Sequence, residues 1–481
     1  MESKTSRQET SINKWRDNKG IGTLNLVPRF GKTTIAKLIC DKILARNSNA
    51  VILAIAPNDV TYKNLKDNLP EKVQCITSFK VLNNLDHFRS IKTDLLIIDE
   101  IHKFCKSDAR FCLYLESTFR LGLTGDKLPQ YSRAMLVTHN FPIIDTITEE
   151  EALANNWISD FIEYNLGVDI EEHKIPLYIA FSNKITDIVS TYKGLYRRLN
   201  TVFNSKVFES DMDLMYALYS GIKFKTGFKS YQFLSAEMIR GELATTMGWT
   251  KDMDMSVDMN RKLNQYYNPG QLQEISKVFN SIIRDRNNLI INSRNKLTMV
   301  LEIIHRNPEP TIIFNESTNM CIDIANAIGS EAIEYHSKVE PKYITDPNTG
   351  DYFCHQNGNP IKFGATRLKN LAIEGIKNGM FKYIVTVKSL NEGVDIPILS
   401  QVITTGGTTN PSTHLQRTAR GKTIYHLNPN KITKIINIYI KDFIHEDNLI
   451  VSRDASKLKT RQANSPVYWV ENIDDIFSES V

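Results

Sequence analysis

Along the first hundred residues, short apolar runs alternate with stretches whose apolar positions recur every three to four residues. That alternation predicts a parallel sheet covered by helices. GIGTLNLV (20–27) reads as a strand leading through a short loop into the helix TTIAKLICDKILAR (33–46). NAVILAIAP (49–57) leads into the helix NDVTYKNLKDNL (58–69), and KVQCITSF (72–79) is a further strand. TDLLIID (93–99) carries four consecutive apolar residues, Leu95 to Ile98, with no polar alternation. A strand of that kind is buried on both faces and delivers Asp99 and Glu100 at its carboxyl end, where open α/β sheets bind ligands. A second α/β series follows late in the chain: PTIIFNES (310–317), NMCIDIANAI (319–328), FKYIVTVKSL (381–390), SQVITTGG (400–407) and KIINIYI (434–440).

Between the two series, from about 180 to 288, the apolar period is helical and strand character is scarce, which predicts a helical insertion joining two sheet domains. PKYITDPNTGDYFCHQNGNPIKF (341–363) places Thr349-Gly350 and Asn357-Gly358 between β-favouring residues, the mark of a protruding hairpin. At 481 residues the chain exceeds what one core holds, and 41% hydrophobic with 23% charged residues is the composition of a folded protein. The sequence has no run of apolar residues long enough to span a bilayer, and MESKTSRQET lacks the apolar core of a signal peptide, so a cytoplasmic protein without a membrane partner is expected. The six cysteines form no CxxC pair and are expected to be reduced and structural. A net charge of +5 is too small to identify a nucleic-acid partner. Basic and aromatic residues do cluster, however, in KGLYRRLNTVFNSK (193–206) and KFKTGFKSYQF (223–233), and basic residues recur in RDRNNLIINSRNK (284–296).

VPRFGKTT (27–34) stands between a strand and a helix, the context of a phosphate-binding loop, although Leu26 and Arg29 occupy positions where glycines are common. In such a loop Lys32 reaches the terminal phosphates, Thr33 ligates magnesium, and the amides opening the next helix add their dipole. Asp99 and Glu100, in DEIH (99–102), suit the two companion tasks of holding the metal and polarising the attacking water.

The order of motifs resembles a superfamily 2 DExH-type helicase from one end of the chain to the other. Gln8 looks like that family's adenine-reading glutamine, and Arg29, Gly31 and Thr34 would complete the nucleotide cradle. Pro57-Asn58 and Thr77-Ser78, with Ser317 in IIFNES and Thr386 in IVTVKSL, fall where the family touches the nucleic-acid backbone. LGLTGD (121–126) resembles the segment that couples hydrolysis to strand movement. LNEGVDIP (390–397) resembles the motif that meets ribose and nucleic acid, with Gly393 and Asp395 its telling residues. LQRTARGK (415–422) resembles the arginine-finger segment and supplies Gln416, Arg417 and Arg420. Ala419 replaces the usual glycine there, and Thr423 the usual last arginine with Lys422 beside it, which leaves Arg420 as the leading finger. IIDTITEEEALANNWISDFIEY (143–164) and IYIKDFIHEDNLIVSRD (438–454) are similar to segments of phage branch-migration helicases and restriction-enzyme motor subunits.

The resemblance implies an α/β fold of two RecA-like parallel-sheet domains in tandem, 1–179 with the phosphate loop and 289–481 with the arginine fingers, while the helical insertion at 180–288 and the hairpin at 341–363 rest on the residue pattern alone. It implies an ATP hydrolase using ATP and Mg2+, acting as a monomer on branched or forked DNA, in a bacterial host cell if phage-encoded, with replication or recombination proteins as further partners. Two rival readings stay open. One is a duplex DNA translocase that does not separate strands, and the other an ATP-binding nucleic-acid scaffold with weak catalysis.

Overall fold

The computed structural model describes residues 2–105, 108–125, 128–194, 197, 210–212, 215, 269–336, 338–387, 390, 396–407, 411–443 and 467–478. The first sheet is built from β1 (Ile21–Leu26), β2 (Ile52–Ala56), β3 (Gln74–Thr77), β4 (Thr93–Ile98), β5 (Ser117–Thr124) and β6 (Ile143–Ile147), in the order β3-β2-β4-β5-β1-β6. Every neighbouring pair is parallel. Alternation explains the unbroken apolar run of β4. Leu95 and Ile97 pack into one core with Leu24, Ile35 and Ile39, while Leu96 and Ile98 pack into a second with Phe104, Leu136 and Phe141. Each fully buried Leu or Ile contributes about 1.5–3 kcal/mol, so the strand is fixed from both faces.

The second sheet comprises β7 (Phe161–Val168), β8 (Thr311–Asn315), β9 (Ala332–Tyr335), β12 (Tyr383–Val387), β13 (Gln401–Thr404), β14 (Thr433–Ile440) and β15 (Val467–Val470), in the order β15-β7-β14-β13-β8-β12-β9. It too is parallel throughout. The expected fold class, α/β with two parallel-sheet domains in tandem, is therefore present.

The division between the domains differs from the sequence reading in one respect. β7, placed with the first domain by an expected boundary at 179, pairs residue for residue with β14 from Phe161↔Thr433 to Val168↔Ile440. The helical segment is thus spliced into the second sheet domain, between β7 and the helix Arg294–Arg306, and does not join the two domains. Apolar periodicity identifies a strand but not the sheet it joins, which is decided by long-range pairing.

Residues 170–293 form a compact unit of their own. Its helix Ile175–Thr191 packs on the helix Pro269–Ile291, with Arg286 5.5 Å from the Tyr178 ring centroid and bonded to Ser182 Oγ at 3.2 Å. The basic and aromatic runs at 193–206 and 223–233 lie outside the described residues, apart from 193, 194 and 197. Within the run 284–296, Arg286 is engaged by Tyr178, and Lys296 is buried in the second sheet domain, donating to Thr405 O at 3.0 Å.

Between β9 and β12, β10 (Lys342–Tyr343) pairs antiparallel with β11 (Lys362–Phe363), and bridges Thr345↔Tyr352 and Cys354↔Pro360 continue the excursion. Gly350 (φ 79°) and Gly358 (φ 80°) supply its left-handed turn positions. Among the described residues no helix is long and apolar enough to cross a membrane.

Candidate active site

In both sheets the motif residues follow the carboxyl ends of the strands, the edge at which open parallel sheets bind ligands. Leu26, the last residue of β1, is fully buried in the sheet, so the candidate phosphate loop begins after it. Phe30 anchors that loop from below: it is fully buried and meets Trp157 edge-on at 5.3 Å between ring centroids. Arg29 (φ 74°) and Gly31 (φ 106°) take left-handed backbone, which is why the missing glycine character reappears at these two positions. For an L-residue such as Arg29 this conformation costs about 1–2 kcal/mol. Of the six non-glycine residues with positive φ among the described residues, Arg29 and Glu100 line the same cleft, and retained strain of this kind concentrates at functional sites.

The N-terminal helix Lys4–Asp17 supports the loop from behind. Gln8 Nε2 donates to Phe30 O at 2.9 Å, and Lys4 Nζ donates to Arg29 O at 2.9 Å and to Trp157 O at 3.0 Å. A Cβ on Gly31 would stand 2.5 Å from Gln8 Nε2. Gln8 is therefore buried behind the loop, supporting its backbone.

Lys32 opens the helix Lys32–Arg46, and its Nζ lies 2.7 Å from Glu100 Oε1. Burial alone would raise the Glu100 carboxyl, but Lys32 and His102 together hold it below its ordinary value, so it is ionised at neutral pH. His102 Nδ1 lies 3.4 Å from Glu100 Oε2 and 3.0 Å from Thr124 Oγ1, joining the acid pair to the end of β5. Of these two partners Glu100 is two residues away, whereas Thr124 belongs to another strand, a contact that residue type alone does not announce. A Cβ on Gly125, the next residue after Thr124, would meet Leu26 O at 2.8 Å and Lys32 Nζ at 3.2 Å. The absent side chain keeps open the space beside the lysine. Asp99 is 6% exposed and accepts the Glu100 amide at 3.0 Å.

A cleft of about 1130 Å3 runs between the two sheet domains. It is lined from the first by Arg29, Gly31, Lys32, Thr33, Thr34, Asp99, Glu100 and Gly125, and from the second by Gln416, Ala419, Arg420 and Thr423. Arg29 Nε crosses it to donate to Ala419 O at 3.2 Å.

Arg417 is not part of this lining. It is 1% exposed, points into the second domain, and donates to Gly406 O at 2.9 Å and to Glu316 Oε1 at 3.2 Å above the Phe314 ring. Its guanidinium is lowered by burial, partly offset by Glu316. The helix Pro411–Thr418 turns successive side chains to different faces, so neighbouring motif arginines need not share a destination. Lys422, the other cation of the segment, pairs with Glu149 and lies 3.6 Å from the Phe161 ring centroid.

The expected nucleic-acid contacts are not among the residues that line the cleft, although Asn58 adjoins Asp59, Val60 and Thr61, which do. Pro57 and Asn58 follow β2, and Asn58 Oδ1 caps the next helix by accepting the Thr61 amide at 2.9 Å. Thr77 ends β3, Ser78 opens the next helix, and both are buried, while the adjoining Phe79 is 70% exposed. Ser317 caps the helix Thr318–Ile328 after β8. Thr386 is fully buried within β12, its hydroxyl donating to Tyr335 O at 2.8 Å, which removes that side chain from any surface. Gly393 and Asp395 lie outside the described residues.

For a magnesium nucleotide, the fit rests on the hard oxygens of Thr33 and Asp99 and on the space that Gly125 leaves beside Lys32. Among the described residues no group of three or more His, Cys, Asp or Glu gathers as a metal cage, Cys354, His355 and His336 included. Magnesium in phosphate-transfer sites needs only one or two protein oxygens besides the phosphates.

No protein-family model matches the chain, and no curated protein sequence matches it. Among solved structures it is similar to the crystal structure of the Pyrococcus furiosus Hef helicase domain, at 16% identity and a TM-score of 0.48, over 95% of this chain and 98% of that one.

Proposed function

We propose that this chain is an ATP-dependent DNA motor, a helicase that couples hydrolysis to translocation on and remodelling of branched or forked DNA. One observation carries the reading: the phosphate loop, the Asp99–Glu100 pair and Arg420 line a single cleft although they come from two separate sheets. A site divided in this way responds to the separation of the domains, so a cycle of nucleotide binding and release can drive their opening and closing.

Lys32 is placed for the terminal phosphates, and Thr33 and Asp99 would hold Mg2+, which neutralises phosphate charge when bound. Glu100 is the candidate base for the attacking water. Its pairing with Lys32 keeps it deprotonated, and a phosphate group drawing Lys32 away would raise its basicity. Arg420 is the candidate cation for charge that builds on the γ-phosphate. DNA would run along the carboxyl edges of both sheets, past Asn58, Ser78 and Ser317, with the exposed Phe79 ring available to a base. Grip through phosphates makes binding salt-dependent and nearly indifferent to sequence.

The test is ATP turnover measured with single-stranded, duplex, forked, four-way-junction and RNA ligands, set beside unwinding of a forked duplex and displacement of a triplex strand. Stimulation by branched DNA together with unwinding is expected. Triplex displacement without unwinding would identify a duplex translocase, and nucleotide binding without turnover on any ligand would leave only a scaffold.

A further inference from the structure

We propose that Arg29 is a positioning residue that holds the arginine-bearing turn of the second sheet domain against the phosphate loop. This deepens the reading of the cleft as a nucleotide site and rests on it.

Arg29 is braced at both ends. Its left-handed backbone is held by Lys4, which donates to the Arg29 carbonyl at 2.9 Å while also donating to Trp157 O at 3.0 Å. Its side chain donates from Nε to the carbonyl of Ala419 at 3.2 Å, one residue before Arg420. The turn beyond is tight: Ala419 N bonds Leu415 O, Arg420 N bonds Arg417 O and Lys422 N bonds Ala419 O, so displacing Ala419 displaces Arg420.

The far side of the same turn has its own tether. Lys422 pairs with Glu149, the Ser159 amide donates to Lys422 O at 2.9 Å, and Ser159 Oγ donates to Thr423 O at 3.0 Å. Glu149 and Ser159 belong to the connection between β6 and β7. The turn is thus held by three contacts from the connection and by one from the phosphate loop, which Arg29 supplies. A glycine at this position satisfies the left-handed backbone equally well but cannot cross the cleft. Within the turn, Thr423 lines the cleft without charge, and Arg417 and Lys422 are engaged elsewhere, so the effect of this segment depends on where Arg420 is placed.

The experiment uses the full chain with Arg29→Ala and Arg29→Lys, each alone and combined with Arg420→Ala. A misplaced Arg420 lowers kcat by about tenfold to a hundredfold in Arg29→Ala. Affinity for a non-hydrolysable ATP analogue stays within about twofold, since the lost contact is not to the nucleotide. Arg29→Lys restores part of the rate, and Arg29→Ala adds no further loss once Arg420 is Ala. Spin labels at the exposed Ser48 and Ser330, with Cys354 replaced by Ser, supply a readout independent of hydrolysis, because Arg29→Ala broadens the distance between the two domains. Weakened analogue binding with an additive loss of rate would make Arg29 a phosphate ligand and overturn the proposal, as would an unchanged distance distribution. Absence of turnover in the unsubstituted chain would count against the motor reading, while the spin-label result would still decide whether Arg29 holds the turn.

Discussion

Asp145→Asn isolates the buried charge that docks the N-terminal helix. The Asp145 side chain is 1% exposed, and it accepts Arg7 through both oxygens at 2.7 and 3.0 Å, Ser11 at 2.7 Å and Lys14 at 2.6 Å. Arg7 is itself buried, with Glu151 at 3.1 Å as a second, partly exposed partner. Breaking a buried pair by removing one charge costs about 3–5 kcal/mol, because the surviving ion is left in a poorly solvated place. Lys14 is 47% exposed, so its share is discounted to less than about 1 kcal/mol. Against a typical total stability of about 5–15 kcal/mol, local undocking of Lys4–Asp17 is easier than global unfolding. Undocking would take Gln8 from Phe30 and Lys4 from Arg29, so the loop would lose its support from behind.

Hydrogen exchange of residues 4–17 is the assay, and a loss of about 3 kcal/mol appears as a drop in protection of about a hundredfold or more. Replacing both partners, as Arg7→Met with Asp145→Leu, should cost less than Asp145→Asn alone. The sign with pH follows from the Asp145 carboxyl. Burial would raise it, but Arg7, Lys14 and Ser11 hold it below its ordinary value. Its contribution is therefore complete above the unfolded value of about 4 and is lost as pH falls through the folded one. Protection should match at pH 7 and pH 5. Asp145→Asn costing less than about 1 kcal/mol, with protection unchanged, would refute the reasoning.

Glu100→Gln should lower turnover by about 10²–10⁴-fold while sparing ATP binding, and single-turnover hydrolysis with a filter-binding control checks both. Arg420→Ala should lower kcat by about a thousandfold or more, read by steady-state ATP turnover. Arg417→Ala strands the buried Glu316 and should instead cost about 3–5 kcal/mol, read by chemical denaturation; a stably folded Arg417→Lys protein as slow as Arg420→Ala would reverse the assignment. Deleting residues 345–360 should impair unwinding of forked DNA more than ATP turnover, and retained unwinding would remove the β10–β11 excursion from the mechanism.

Local pattern made much of this architecture legible. The apolar runs of β1, β2, β4, β8, β12, β13 and β14 announce buried strands, and Asp99 follows the plainest of them. The N-terminal helix was not anticipated from pattern, because much of what holds it is polar: Arg7 and Ser11 are buried against Asp145, more than 130 residues away in the chain. β7 was not picked out as a strand by pattern, and its place in the second sheet is set by β14, which is distant in sequence. Leu26 and Arg29 looked like defects in the phosphate loop. Leu26 belongs to the strand, and Arg29 adopts the glycine-like backbone itself, a fact about φ that residue type does not encode.

The same limit governs the cations, whose chemistry depends on partners that sequence spacing leaves undetermined. Arg417 and Arg420 are three residues apart in one motif, yet the first is bound into the interior by Glu316 and Gly406 while the second reaches the cleft. Lys422 is positioned beside the site but paired with Glu149. A buried, paired cation serves structure, because moving its charge to a nucleotide would abandon its counter-ion in a poorly solvated interior. A cation whose partner also lines the cleft, as Glu100 does for Lys32, can shift between that partner and a bound phosphate. Lys32 meets that criterion, Arg420 lines the same cleft, and Arg29 donates across it to the neutral carbonyl of Ala419. Cleft exposure combined with the identity of the partner, more than motif membership, therefore decides which basic residues are candidates for chemistry in this chain.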